Sequence, residues 1–362
     1  MRSRVADALG IDFPLLQSGM GGVAGPDLAA AVSNAGGLGI VAGHTVPVDD
    51  LRLRIRRTRE LTSKPFGVNV VIPDDLAHPA PSDTLDEKEI EDLQATLNRI
   101  RDKVGLEPRH GRPAPPPEDL DEKFAMLLEE RIPVLSLGLG CPRPEWIEQC
   151  RTRDIYTIAM VSTVEDAIEV ERAGIDAVVG QGSEAGGHRS HFKKPGSASK
   201  GAVGTMVLVP GVVDAVRIPV IAAGGIVDGR GFVASIALGA EGVMLGTRFV
   251  ATQESSAVEA YKRAVLNAGA DDTVITDVAS GRYARLIENE LIQMLDRTDR
   301  LPFMWHGSAL SDVLDKARAT NNASLLALWA GQCSGLIHDL PSAGEVVQRI
   351  IQDTKRVLES LR

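Results

Sequence analysis

One stretch of the chain, Ile175–His188 (IDAVVGQGSEAGGH), limits the possible folds more than any other. It opens with a β-branched run that is typical of a buried strand. Four of the eight residues 180–187 are glycine, which lets the backbone turn tightly and approach a ligand closely. The stretch ends at His188, a side chain whose ordinary pKa lies near neutrality. The pattern predicts a strand that delivers a glycine loop and a histidine to the rim of an active site. The alternative is a flexible loop with a surface histidine.

Similar units recur along the chain: a helix ends at a glycine and a short apolar strand follows, as at Gly36, Gly174 and Gly239. We count eight predicted strands, near residues 13, 38, 66, 134, 155, 176, 219 and 242. Strands that alternate with helices indicate a parallel sheet. Eight such units in about 250 residues predict a (β/α)8 TIM barrel. The alternative is an open doubly wound sheet, which the lack of a G-x-G-x-x-G first turn disfavours.

The regular rhythm stops after the third strand, at about 73–118. This insertion has two proline clusters, Pro79 with Pro81 and Pro113 with residues 115–117. Between them, apolar residues recur at spacings of three and four, which predicts an amphipathic helix. They are Ile90, Leu93, Leu97, Ile100 and Val104. We interpret the segment as a Pro-rich helical insertion in a barrel that spans residues 1–252.

The rest of the chain is predicted to be helical. Residues 253–325 contain no clear strand series and are interpreted as a helical cap over the substrate. Residues 326–362 are interpreted as helices that pack back on the barrel.

Composition excludes several classes of function. Acidic residues outnumber basic ones by 49 to 39, for a net charge of −10, and no run of lysine or arginine indicates nucleic-acid binding. The three cysteines form neither a metal motif nor a disulfide framework. No apolar run approaches the roughly 18 residues of a membrane span, and the first residues lack a signal peptide. We expect a cytoplasmic protein with no metal and no membrane or nucleic-acid partner.

The strand ends predict where a ligand binds, because function in such barrels lies at the carboxyl ends of the strands. Gly224-Gly225 ends the seventh strand and Gly246-Thr247 ends the eighth, at the positions of a common phosphate site. The alternative for these glycines is a simple turn. Polar Gln17, Asn69 and Gln181 end three other strands and could hydrogen-bond a heterocycle. Met20 and its neighbouring glycines would form an apolar wall, so flavin mononucleotide (FMN) fits the pattern.

These segments carry a resemblance to a known family. The chain resembles the nitronate monooxygenase (2-nitropropane dioxygenase) family of FMN-dependent barrels over nearly its whole length, except about 73–118. The matching segments are QSGMGG with AAAVSNAGGLGIV, KPFGVNV, QGSEAGGH, IPVIAAGGI and ALGAEGVMLGTRF, with GRYARLIEN and WAGQ nearer the C-terminus.

The resemblance implies that His188 is the catalytic residue beside the flavin. With the strand-end argument it also implies a set of FMN contacts. They are Met20, Gly21, Gly22, Asn69, Gln181, Gly186, Gly187, Gly224, Gly225, Met244, Leu245, Gly246 and Thr247. The chain departs from many members at Ser190, where they place glycine, and His191 follows it.

The implied activity is the oxidation of alkyl nitronates (nitroalkanes) by O2 to a carbonyl compound and nitrite, with a small-molecule substrate and a possible homodimer. The alternative is an NAD(P)H-dependent flavin reductase on the same scaffold, acting on enoyl-acyl-carrier, acyl-CoA or quinone substrates. A third possibility is a non-catalytic FMN-binding protein, which His188 beside the glycine loop argues against.

Overall fold

Eight parallel strands surround a central axis in the computed structural model, which describes residues 3–73, 85–113 and 119–361. They are β1 (Leu15–Gln17), β2 (Gly39–Ala42), β3 (Phe66–Val71), β4 (Val134–Gly138), β5 (Tyr156–Val161), β6 (Ala177–Gln181), β8 (Val220–Ala223) and β9 (Gly242–Leu245). A further strand of two residues, β7 (Gly187–His188), lies in the loop after β6. All eight predicted strands are therefore confirmed.

The strand order β1-β9-β8-β6-β5-β4-β3-β2 makes the sheet a nearly closed barrel. The two end strands meet through a parallel bridge between Leu16 and Leu38. Its hydrogen bonds run from the Gln17 N–H to the Leu38 carbonyl (2.9 Å) and from the Leu38 N–H to the Leu15 carbonyl (2.9 Å). The predicted (β/α)8 barrel is confirmed, and the open doubly wound alternative is excluded.

One helix, α1 (Arg4–Leu9), precedes β1, and further helices fill the connections between the strands. They are α2 (Pro26–Asn34), α3 (Val48–Leu61), α4 (Glu87–Val104), α5 (Leu120–Glu129), α6 (Pro144–Arg151), α7 (Val164–Ala173), α8 (Thr205–Ala215) and α9 (Gly229–Ala237). α2 begins at Pro26, whose missing N–H costs nothing at a first helical position. α7 begins after Thr163, whose hydroxyl accepts the N–H of Asp166 at 3.0 Å.

Branched apolar side chains fill the inside of the barrel. Leu16, Ile40, Ile158, Val179 and Ile221 form one buried cluster, and each is fully buried. The cluster continues into Val5 and Leu9 of α1, so this short helix covers the amino-terminal end of the barrel. Such packing leaves the opposite end, where the strands finish, as the place for a ligand.

The insertion contains the predicted helix, α4, and its apolar stripe is buried at Ile90, Leu93, Leu97 and Ile100. Both the Pro79–Pro81 cluster and residues 115–117 lie outside the described residues. α4 packs against α13 (Phe303–Ala319) of the cap. Arg101 of α4 is fully buried and donates from Nε and Nη2 to Asp312 of α13, at 2.9 and 3.2 Å.

The cap corrects one prediction, because 253–325 is not helical throughout. Its helices are α11 (Glu259–Asn267), α12 (Glu290–Leu295) and α13, and the four-residue α10 (Thr247–Val250) precedes the cap. Between α11 and α12 lie two antiparallel strands, β10 (Thr273–Thr276) and β11 (Ala284–Ile287). β11 also pairs with β7, placing Ala284 opposite His188. The strands were missed because neither is an uninterrupted apolar run: threonines begin and end β10 and an arginine interrupts β11, so both lack the pattern of a buried strand.

The C-terminal part returns to the barrel. Two short 3-10 turns, Ala323–Leu325 and Gln332–Leu336, lead to α14 (Ala343–Ser360). α14 packs against α9 and α2. Among the described residues, no helix is both long enough and apolar enough to cross a membrane.

The Arg101–Asp312 pair gives a first testable prediction. Arg101→Ala should lower the free energy of unfolding by about 2–3 kcal/mol, because it removes a fully buried side chain with its hydrogen bonds, while the Asp312 carboxylate keeps only its ion pair with the exposed Arg109 (3.1 Å). Urea unfolding measures the change. The control is Arg99→Ala, at an exposed arginine of the same helix, where a change within about 0.5 kcal/mol is expected. Equal losses in both variants would contradict the importance of the pair.

Candidate active site

The loop after β6 is held by the side chain of Gln181, which is buried at the carboxyl end of that strand. Its Nε2 donates to the His188 carbonyl at 2.9 Å. Its Oε1 accepts from Ser162 Oγ (2.9 Å) and from the Ser190 N–H (3.0 Å). The amide predicted to bind a heterocycle therefore uses three hydrogen bonds to fix the loop. A cofactor contact at Gln181 stays a prediction.

Two buried arginines that sequence reasoning missed hold the carbonyls of the same loop. Arg189 donates to the Gln181 and Gly182 carbonyls, at 2.8 and 2.7 Å. Arg285 of β11 donates from Nε to the Ser183 carbonyl at 2.8 Å. Burial lowers the pKa of Arg189 to about 10, so it keeps its charge at neutral pH. Arg285 is the second arginine of the segment GRYARLIEN, and this segment was the sequence feature that could have pointed to it.

Glu184 and the C-terminal WAGQ segment support the far side of the loop. The Glu184 carboxylate accepts from the Thr205 N–H (2.9 Å) and Oγ1 (2.9 Å), at the start of α8, so this side chain ties the loop to that helix. A Cβ added to Gly186 would lie 2.5 Å from the Ala330 carbonyl carbon. Only glycine lets the loop and this segment approach so closely.

The His188 ring lies at the barrel mouth among aromatic side chains. It packs edge-on to Phe303, with centroids 5.3 Å apart, and tilted against Trp329 at 4.8 Å. Its Nε2 lies 2.8 Å from Ser280 Oγ, and that hydroxyl also lies 3.2 Å from the Arg282 carbonyl. If Ser280 donates to this carbonyl, it accepts from Nε2–H, which assigns the proton to Nε2 and leaves Nδ1 as the acceptor.

His188 is neutral at physiological pH. Burial lowers its pKa to about 3, and electrostatic repulsion from His44 and Arg282 acts in the same direction. The ordinary histidine pKa near neutrality therefore does not apply here, because the aromatic rings beside the imidazole remove water that would stabilise its charge.

Ser190, the departure from the family pattern, has a structural role. Its Oγ donates to the Met160 carbonyl (2.7 Å) and accepts from the Leu139 N–H (3.0 Å). The hydroxyl thus joins the carboxyl ends of β4 and β5 to the loop that carries His188. His191 has its Nε2 3.0 Å from the Gly201 carbonyl.

The glycines that end β8 and β9 form a backbone cradle. Gly224 and Gly225 have positive φ, +110° and +73°, which other residues rarely adopt. Among the described residues, the N–H groups of Gly225 and Thr247 have no protein acceptor. Thr247 Oγ1 accepts from the Gly331 N–H at 3.0 Å, so this hydroxyl ties the cradle to the WAGQ segment. Two orphan donors on adjacent strand ends fit an anionic group such as a phosphate.

The segment after β1 lies beside this cradle. A Cβ on Gly246 would be 3.5 Å from Met20 Sδ, whereas a Cβ on Gly21 or Gly22 would meet no atom within 4 Å. Met20 and these glycines therefore border open space, as expected for a wall. Met244 and Leu245 are buried in the barrel, so only their backbone could reach a ligand there.

Gln17 and Asn69, the other two polar residues predicted to bind a ligand, differ in whether a ligand could reach them. Gln17 is fully buried: its Oε1 accepts from the Ile40 N–H (3.1 Å) and its Nε2 donates to the Ile40 carbonyl (3.3 Å). It pairs with β2 and is not available to a ligand, contrary to expectation. Asn69 donates to the Ser136 carbonyl at 3.2 Å and is only partly buried. No group of three or more potential metal ligands occurs within residues 3–73, 85–113 and 119–361.

Together, the barrel, the glycine cradle and the neutral histidine define a (β/α)8 enzyme with its site at the carboxyl ends of the strands. Comparison with known proteins gives the family. The sequence model of the family described as nitronate monooxygenase matches residues 2–353. The chain belongs to this family, whose members are oxidoreductases.

Individual relatives and solved structures are similar to the chain over nearly its whole length. The chain is 37% identical over 366 residues to a probable nitronate monooxygenase of Staphylococcus saprophyticus, with 99% of each chain covered. Among solved structures, it is similar to nitroalkane oxidase from Streptomyces ansochromogenes, with a TM-score of 0.89, 34% identity and 99% coverage of both chains. It is also similar to FabK from Thermotoga maritima, with a TM-score of 0.78, 34% identity and coverage of 100% and 99%.

The buried histidines give a second prediction. The pKa of His188 is lowered to about 3 and that of buried His306 to about 4. Both rings should stay neutral from pH 8 to pH 5.5, as read from their NMR resonances. Because the unfolded chain binds protons first, the free energy of unfolding should fall as the pH drops from about 6.5 towards 4. At His306 the full effect corresponds to about 3 kcal/mol. Protonation of His188 above pH 5.5 would contradict the prediction.

Proposed function

We propose that the protein catalyses the FMN-dependent oxidation of alkyl nitronates by O2 to a carbonyl compound and nitrite. The observation that carries the proposal is the setting of His188. Its neutral ring lies between Phe303 and Trp329, on the loop next to the glycine cradle, near the guanidinium of Arg282. A cytoplasmic location and a homodimer stay predictions.

The residues fit FMN at the barrel mouth. The Gly225 and Thr247 N–H groups would hold its phosphate, because they are orphan donors at the ends of adjacent strands. Met20 with Gly21 and Gly22 would border its ring, and the Asn69 amide could hydrogen-bond it. When bound, FMN supplies the redox chemistry, taking electrons from the substrate and passing them to O2.

His188 has two tasks, one for each tautomer of the neutral ring. With the proton on Nε2, the ring can accept a proton at Nδ1 from a neutral nitroalkane. With the proton on Nδ1, Nε2 accepts from Ser280 Oγ, and the Nδ1–H can donate to a nitronate that arrives already deprotonated. The low pKa favours the second task, because a neutral imidazole of low basicity is a weak proton acceptor. The positive charge of Arg282 would favour the anionic nitronate over a neutral substrate.

One observation favours a second candidate function. FabK from Thermotoga maritima shares the scaffold at 34% sequence identity, the same value as for the nitroalkane oxidase. An NAD(P)H-dependent flavin reductase that acts on an enoyl thioester or a quinone is therefore the alternative. Two findings count against it: the family match, and a TM-score of 0.89 for the oxidase against 0.78 for FabK.

Anaerobic spectroscopy separates the two functions. Ethyl nitronate alone should reduce the flavin of the purified protein, whereas NADPH alone should leave it oxidised for many minutes. The visible absorbance of the flavin, which is lost on reduction, follows the change. Reduction by NADPH alone would replace the proposal by the reductase, and a protein that takes up no flavin would overturn both.

The role of His188 is tested by His188→Asn. This variant should retain the flavin and lose about 10²–10⁴-fold in kcat with neutral nitroethane, as expected when a proton-handling group is removed, and a smaller factor with ethyl nitronate, which needs no deprotonation. His110→Asn is the matched control, because His110 is exposed on the insertion, and it should match the wild type. Unchanged turnover in His188→Asn would remove this residue from the mechanism.

A further inference from the structure

One aromatic ring of the cap reaches the barrel mouth. Phe303, the first residue of α13, is 6% exposed. Its ring stacks on His44 with an interplanar angle of 11° and a centroid distance of 5.9 Å. It also meets His188 edge-on at 5.3 Å. The ring therefore separates the space beside His188 from the space beside His44, which follows β2.

Phe303 closes this space as an apolar plug. With its neighbour Met304 it belongs to the same buried cluster as Val70, Ile72 and Leu137, at the carboxyl ends of β3 and β4. The rest of α13 packs in the other large cluster, with Trp305, Leu310 and Val313. The first turn of α13 is thus the part of this helix that packs against the carboxyl ends of the barrel strands.

Gly281 packs against the backbone of Phe303 and helps to fix its position. This glycine has φ +81°, and an added Cβ would lie 3.5 Å from the Phe303 Cα and 2.5 Å from the Leu301 carbonyl oxygen. Buried His306 adds two hydrogen bonds: its Nδ1 accepts from the Leu301 N–H (3.3 Å) and its Nε2 donates to the Val278 carbonyl (2.8 Å). Each ring nitrogen of the neutral imidazole has a partner, which holds the first turn in one place.

The insertion fixes α13 from its other side. Asp312 lies nine residues after Phe303 and accepts from Arg101 in two hydrogen bonds. Arg101 also donates to the Ala309 carbonyl at 3.0 Å, and to Gln94 and Asn98 of its own helix at 2.8 Å each. These bonds leave α13 little freedom to slide, so Phe303 is a rigid wall rather than a mobile lid.

We propose that Phe303 is the specificity-determining residue that limits the length of the substrate's alkyl chain beside His188. The inference rests on the proposed function, because it concerns alkyl nitronates at the same site. In the wild type the phenyl ring fills the space into which a longer chain would extend. Short, unbranched alkyl nitronates are therefore the preferred substrates, and a smaller side chain at 303 opens a path towards His44.

The test compares straight-chain nitronates from nitroethane to 1-nitrohexane in the wild type, Phe303→Leu and Phe303→Ala. The ratio of kcat/KM for nitrohexane nitronate to that for ethyl nitronate should rise about tenfold or more in Phe303→Ala, mainly through KM. Phe303→Leu should lie between the two and guards against a folding defect in the alanine variant. Phe124→Leu is the control: this phenylalanine is also 6% exposed in the same cluster but stacks on Trp146.

A binding measurement provides a second readout. Dissociation constants of the corresponding neutral nitroalkanes, measured by ligand-observed NMR without turnover, should show the same change in chain-length preference. If the wild type oxidises nitronates but the ratio stays within twofold in both Phe303 variants, the inference is wrong and the proposed function stands. If the wild type oxidises no nitronate, the proposed function fails, and the binding series alone decides the role of Phe303.

Discussion

The pairing of β7 with β11 is the contact on which the rest of the site depends. It consists of two residue pairs, Gly187 with Arg285 and His188 with Ala284. Through it, a loop of the barrel becomes the edge strand of a small sheet that belongs to the cap. The backbone of the catalytic candidate is thereby fixed by hydrogen bonds to a distant part of the chain, rather than by the glycine-rich sequence around it.

This arrangement explains how a loop with so many glycines can hold one conformation. Glycine carries a large entropic cost on ordering, and the loop offsets it with polar contacts. Arg189 and Arg285 bind three successive carbonyls, from Gln181 to Ser183, and Glu184 caps α8. The glycines permit close approach to other segments, and the charged side chains provide the rigidity that the glycines lack.

The sequence was sufficient for the barrel because seven of the eight strands are short apolar runs with glycine or proline beside them, and β5 continues the same alternation with helices. It predicted a site for the same reason, since strand ends follow from strands. What it could not show is which polar side chains are already used by the protein. Gln17 and Gln181 have the right chemistry for a ligand but bond to the backbone, and only the three-dimensional partners reveal it. The same holds for His188, whose lowered pKa comes from neighbours that are remote in sequence, and for β10 and β11, whose strand character depends on β7.

The closure of the barrel has a consequence for synthesis of the chain. β1 pairs with β9, more than 220 residues later, and meets β2 only through the bridge at Leu38 and the side chain of Gln17. Ser3 and Arg4 likewise bond to Glu241, beside β9. On the ribosome, the first strand to emerge therefore has almost no partner until the last barrel strand follows it. Such long-range closure is slow. For that interval the nascent barrel leaves β1 and its apolar residues exposed, which makes the first strand of the barrel the last to be protected.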